Sequence, residues 1–211
     1  IDCGEREILH PLPVLDDICA GSAKVTALQG WLLESFHYTQ GAAFHIAPVL
    51  EQTAGQPIHE GWREFFEEEI THWRIYRRCF AEFDWQWPVI ECEPLPATLR
   101  FLGSLRQAAE RSPAAYASAM MFIEQAPAAT DLASDPLFGA LVHHYHLPQR
   151  AVQPLWEHAV LNRTLGHEAL GQRTLALEGS LDAAQISGVF SSLNNVMQAN
   201  VAMLAEIVAC E

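Results

Sequence analysis

Positive charge is scarce in this chain: Lys and Arg number 12 against 26 Asp and Glu, a formal charge of −14 at pH 7. That balance argues against nucleic acid or an anionic membrane as the natural partner. Long hydrophobic runs are missing as well. Half of the 211 residues are apolar, enough for one substantial core. No run approaches the roughly 20 residues of a membrane-spanning helix, so a soluble protein is expected. The five cysteines (Cys3, Cys19, Cys79, Cys92, Cys210) are odd in number, scattered and without a C-x-x-C pair. They give no sign of a disulfide framework and read as reduced thiols in a cytoplasmic protein. The opening IDCGERE has no initiator Met, basic n-region or apolar h-region, and trimmed residues are expected there.

Alternating β-branched runs are absent too, and helical periodicity takes their place. After a loose start, the pattern predicts helices over about 23–53, 60–83, 96–110, 113–125, 136–146, 149–174 and 181–209. The first should bend near Gly41 or Pro48, and Pro154 should kink the sixth or mark its start. Ser112-Pro113 is a cap followed by a first-turn proline. Two stretches read as loops: DWQWPVIECEPLP, which holds three prolines, and APAATDLASDP. With no repeat or linker in view, residues 1–211 are expected to form one all-α, seven-helix bundle.

Polar residues on the oily faces carry the functional signal. In FFEEEITHWRIY (65–76), Glu69 shares a face with Trp62 and Tyr76, and His72 lies one turn on. Glu67 and Glu68 read as solvated charge. A buried carboxylate without a partner costs several kcal/mol, a cost that a metal cation removes. Glu-x-x-His puts two ligands one turn apart, although a simple Glu–His hydrogen bond has the same spacing. Three other helices offer inward polar groups: Glu34 in WLLESF, Glu124 in SAMMFIEQ and His158 in LWEHAVLN. Four helices supplying Glu, Glu-x-x-His, Glu and His make a far stronger pattern than any one motif. These oxygen and nitrogen donors suit iron or manganese better than structural zinc.

The remaining histidines sort by position. His37 forms a second Glu-x-x-His with Glu34 and is an additional ligand candidate. His45 lies near the face of Glu34, farther along the axis, to line a pocket or pack. His143, His144 and His146 sit at a helix C-terminus, where imidazoles favour the dipole. His167, nine residues past His158, falls on the opposite face and is expected to be exposed.

These segments (WLLESFHYTQGAAFH, FFEEEITHWRIY, MMFIEQ and LWEHAVLN, within about 20–205) resemble the heme-oxygenase-like di-iron oxidases and oxygenases. That group is related to the TenA thiaminases, the PqqC quinone synthase and the UndA decarboxylase. The resemblance implies a seven-helix bundle that binds one or two iron ions and uses dioxygen on a small organic substrate, with Glu34, Glu69, His72, Glu124 and His158 as ligands. Many members carry an Asp four residues after the helix-six His and a further His beyond it. Here those positions are Asn162, a weak neutral ligand, and Leu165 or Gly166. The expected partners are therefore a substrate, dioxygen, an electron donor and a second copy of the chain in a homodimer. Three alternatives stand beside this one. A PqqC-like oxidase or binding protein would use the cavity without metal. A TenA-type hydrolase would need a cavity thiol, for which Cys79 is nearest. A ferritin-like bundle would need Glu where Leu155 stands.

Overall fold

The computed structural model describes residues 13–82, 92–124, 129–177, 179 and 181–209, with backbone alone at 13, 162–165 and 168. The described residues are helical throughout their ordered elements, with no strand among them. In chain order they form α1 (Pro13–Ala20), α2 (Val25–Gln40), α3 (Ala42–Thr53), α4 (His59–Glu69), α5 (Trp73–Glu82), α6 (Pro96–Arg111) and α7 (Pro113–Ile123). A 3-10 turn, Leu132–Ser134, precedes α8 (Pro136–His143), α9 (Gln149–Leu165), α10 (His167–Leu177) and α11 (Ala183–Ala209). None of these helices is long and apolar enough to cross a membrane.

The helix starts follow local chemistry. Ser112 caps α7 by accepting from the Ala115 N–H, and Asp135 caps α8 by accepting from Leu137 and Phe138. Each cap is followed by proline, whose missing N–H costs nothing in a first turn. All seven expected helical regions are present, but three are divided and α1 precedes them. The first region turns at Gly41, whose backbone stays right-handed, while Pro48 sits inside α3. A Cβ on Gly41 would lie 2.5 Å from Leu102, so close packing on α6 explains the glycine. The second region is interrupted at 70–72, and the sixth breaks at Gly166, whose φ of 77° is left-handed. Pro154 is accommodated within α9.

At the centre lies α7, in contact with α3, α6, α10 and α11. It is almost wholly apolar and built from small residues: Ala114, Ala115, Ala117 and Ala119 are all fully buried beside Tyr116. Small side chains let the neighbouring helices approach closely, and α10 uses this most. Gly171 of α10 comes so near that a Cβ there would meet Met121 at 2.6 Å and the Ala117 carbonyl at 3.6 Å. Large buried side chains, among them Leu28, Leu32, Ile46, Trp62, Leu105, Leu141 and Val196, complete one connected core. Each is worth about 1.5–3 kcal/mol of transfer free energy. The packing therefore carries the C-terminus of α7 and the N-terminus of α10 into the interior side by side.

Candidate metal centre

Four helix ends and one helix middle supply the site. Glu124 is the C-cap of α7, and His167 is the first residue of α10. The close α7–α10 contact at Gly171 sets them opposite each other, one turn further along each antiparallel helix. Glu69 is the last residue of α4, and His72 follows in the turn before α5. On α9, His158 lies with its ring 3.9 Å from that of His72, measured between centroids.

One donor atom from each of Glu69, Glu124 and His167 falls within 4.8 Å of the other two. Ligands held about 2.0–2.2 Å from one first-row cation can be at most about 4.4 Å apart. A small inward rotation would thus close the set around an ion. The remaining contacts are side chain to side chain. His72 Nδ1 lies 2.9 Å from Glu69 Oε2, and His167 Nε2 lies 3.2 Å from Glu68 Oε2. His167 Nδ1 stands 3.6 Å from Glu124 Oε2, long for a hydrogen bond but close for charge attraction. Packing holds the imidazole from behind. Phe65 meets the His167 ring edge-on at 4.8 Å, and Trp62 Nε1 donates to Thr174 Oγ1 at 3.1 Å, tying α4 to α10.

Electrostatics explain why an ion would be welcome. Burial pushes the Glu69 carboxyl well above the usual range, and the nearby Glu124 charge adds to the effect. Burial lowers His72, and it lowers His158 to about 4, with the neighbouring His72 contributing. For His167, burial acts downward, but Glu124 and Glu68 outweigh it and raise the imidazole to about 10. One histidine, His167, faces three acidic side chains, so oxygen donors are in excess. Buried atoms are also left over: Glu68 Oε1, Glu69 Oε1 and His167 Nδ1 have no hydrogen-bond partner among the described residues. Orphaned carboxylate oxygens and an imidazole nitrogen are what a divalent cation would satisfy. On these grounds the residues fit a metal ion.

A cavity of about 170 Å³ opens onto the cluster. Glu69, His72, Glu124 and His158 line it together with Trp31, Tyr38, Tyr76, Ile123, Phe138, Leu155 and Ala159, among others. A larger, open depression of about 420 Å³ lies elsewhere, against Gln52, Ile58 and Leu177, and no titratable side chain lines it. The chemistry is concentrated in the smaller cavity.

The sequence-derived candidates divide accordingly. Glu69, His72, Glu124 and His158 meet at one cavity. Glu34 is deeply buried but engaged elsewhere, where its Oε2 accepts from the Leu95 N–H and the Thr98 hydroxyl at the start of α6. A helix N-terminus offers a carboxylate the same relief as a cation. His37 packs edge-on against Phe36, and like Glu34 it is not among the residues lining the cavity. The side chain of Asn162 lies outside the described residues, as does that of Leu165.

Two expectations are overturned. The His167 side chain is only 6% exposed and belongs to the cluster. The error came from treating 149–174 as one helix: Gly166 resets the helical phase, so a nine-residue count from His158 means nothing across it. A Gly followed by a new apolar period was the available signal. Glu68, expected in solvent, is 24% exposed at its side chain and reaches His167. Glu67 does point outward, paired with Arg63. His45 is settled as a packing residue, its Nδ1 2.8 Å from the Tyr116 hydroxyl. Cys79 is buried away from solvent, bonded to the Ala151 carbonyl at 2.8 Å, with its thiol pushed up to about 12 by burial. Such a thiol makes a poor nucleophile.

Comparison with known structures agrees with this architecture. The chain is similar to a domain of unknown function with a heme-oxygenase-like fold from Shewanella denitrificans OS217, known from a crystal structure. The likeness has a TM-score of 0.75 at 18% identity and covers 98% of this chain and 92% of that one. This chain is therefore an all-α bundle with a heme-oxygenase-like fold, and a ferritin-like arrangement is set aside. No protein-family model matches it, and no curated protein matches it.

Proposed function

We propose that the protein is a non-heme iron oxidase or oxygenase that uses dioxygen on a small organic molecule. Glu69, Glu124 and His167 are the core ligands, and His72, His158 and Glu68 stand within the same cluster as further donors. The observation that carries this reading is the convergence of those three donor atoms within 4.8 Å, two of the three residues bearing a buried atom with no partner among the described residues. Manganese is the other cation such a donor set suits. When bound, ferrous iron would supply dioxygen and one-electron chemistry. The chain's own residues do the rest. Glu69 fixes the His72 ring through Nδ1, Phe65 fixes His167, and Trp31, Ile123, Phe138 and Leu155 give the cavity apolar walls. Because His167 is held protonated by its carboxylate neighbours, metal uptake must release a proton.

A test is anaerobic reconstitution with ferrous iron, followed by desalting and metal analysis, on wild type, His167→Ala and the exposed control His144→Ala. Wild type and the control should retain iron, and His167→Ala should bind it about 10- to 100-fold more weakly. Equal retention by all three, or by none, defeats the assignment. A second reading is a metal-free binding protein. The contacts His72–Glu69 and His167–Glu68 favour it, since they satisfy part of the cluster without an ion. Wild-type protein that holds no iron but still binds small molecules in the cavity would establish that reading instead.

A further inference from the structure

The longest helix, α11, is apolar around more of its circumference than the core uses. Its 27 residues pack on α1, α2, α6 and α7, and Ser192, Val196, Met203 and Ile207 mark the buried face. At 100° per residue, Ile186, Phe190, Leu193, Met197 and Val201 fall on a second stripe, roughly 100° further round. Leu193, Met197 and Val201 are half-buried, whereas Ile186 and Phe190 are 43% and 66% exposed. No large apolar side chain among the described residues is more exposed than Phe190. The steps of 4, 3, 4 and 4 residues along the stripe are those of a seam between two helices.

Charge decides what can cover that stripe. From Ala183 to Ala205 the helix has no Asp, Glu, Lys or Arg, in a chain with a net charge of −14. Asp182, just before it, is spent on the first turn, where it accepts from the Gln185 N–H at 2.8 Å. Ionic groups of α6 meet α11 on its other side. A Cβ on Gly188 would lie 3.0 Å from Arg111, and Arg100 pairs with Glu206 at 3.1 Å. Positions 188 and 206 fall about 180° from the stripe.

Two copies of so acidic a chain repel each other wherever their carboxylates meet, and along this stripe they do not. A basic partner would be drawn to the acids and would gain nothing from a neutral face. A second copy brings a stripe of identical spacing and equal neutrality, and two-fold symmetry makes such a face self-complementary. The helix is about 40 Å long. A contact of that length need be only about two helix diameters across to cover the roughly 800 Å² that each partner buries in a stable dimer. Ser187, Ser191, Asn194 and Gln198, all exposed, would form its uncharged polar rim.

We propose that α11 is the seam of a two-fold homodimer, in which Phe190 of each copy is buried against the α11 stripe of the other. The proposal goes beyond the iron reading and does not depend on it. Apolar contact holds the two copies together, and charge repulsion opposes them.

The test is sedimentation velocity of the full chain in EDTA, from about 1 to 100 µM, at low salt and at about 0.5 M NaCl. Wild type should sediment as a dimer, at twice the 23.5 kDa of one chain. Salt should leave the dimer intact or tighten it, since it screens repulsion between acidic copies. Phe190→Glu and Met197→Glu, with unchanged circular dichroism, should each weaken association by at least about 30-fold. Phe44→Glu on α3, where the native ring is 50% exposed, is the control and should leave the dimer intact. Four results overturn the proposal: a wild type that is monomeric at about 100 µM, a dimer dissolved by salt, a Phe190→Glu protein that dimerises as tightly as wild type, or equal loss in Phe44→Glu.

Discussion

Replacing Glu69 by Gln should make the metal-free protein more stable while abolishing its response to metal. Glu69 is 4% exposed. One of its oxygens meets His72 Nδ1 at 2.9 Å and the other has no partner among the described residues. Burial, reinforced by the Glu124 charge, raises its folded-state pKa well above the unfolded value. The sign follows from that direction. The folded protein holds this proton more tightly than the unfolded chain, so stability falls as pH rises above the unfolded Glu value near 4.3. Gln keeps the shape and a hydrogen-bonding group toward His72 and removes the buried charge. Relief of one uncompensated buried group is worth about 1–3 kcal/mol. For a chain of this length each kcal/mol moves the Tm by roughly 2–4 °C. Scanning calorimetry in EDTA at pH 8 should therefore show Glu69→Gln melting about 2–12 °C above wild type, with a smaller gap at pH 5. Ferrous iron at a hundred times its Kd should add about 2.7 kcal/mol to wild type and nothing to the variant. A variant that melts lower in EDTA at pH 8, or that still gains stability from iron, would refute the idea that burial of the Glu69 carboxyl stays uncompensated until a cation arrives.

Three further outcomes are expected. Burial lowers the His45 imidazole to about 3, so its contribution is fully present above the unfolded value near 6.5 and is lost as pH falls toward 3. Urea titrations should show an acid limb of up to about 1.4 kcal/mol per pH unit that flattens in His45→Gln. Glu34→Ala removes the acceptor for Leu95 and Thr98 and should destabilise the protein by about 1.5–3 kcal/mol. Its iron content should stay unchanged, whereas a ligand role would lower both. Gly166→Ala places a side chain at a φ of 77° and should cost about 1–2 kcal/mol. Because that residue directs His167, iron affinity should fall with the Tm.

The helical pattern was readable because an apolar period of 3.6 survives averaging over many residues, and every long element from Val25 to Ala209 carries it. What averaging hides is where a helix stops. The divisions at Gly41 and at 70–72 lie inside stretches whose hydrophobic period continues, so the pattern runs straight through them. For α2 and α3 the error was harmless, since Gly41 keeps a right-handed backbone and the phase barely changes. At Gly166 the backbone turns left-handed, and His167, counted through it from His158, was assigned to the wrong face.

The same physics separates the site residues that were found from those that were missed. Glu69, His72, Glu124 and His158 could be read from a single helical face because each lies within, or just past the end of, an unbroken helix. His167 and Glu68 owe their positions to the approach of α10 to α7 and α4. That approach depends on Gly171 against Met121 and on Trp62 bonded to Thr174, contacts between residues far apart in sequence. Glu34 shows the opposite case. Its helical face was read correctly as buried, and the four-helix pattern with the family resemblance suggested a metal. A buried carboxylate needs only a donor, and whether that donor is a cation or the N-terminus of α6 is decided by which element packs against it. Composition and spacing can therefore show that a charge is hidden, while its partner depends on the packed fold. For this reason His167, which neither motif nor periodicity selected, is the most informative of the proposed ligands to mutate.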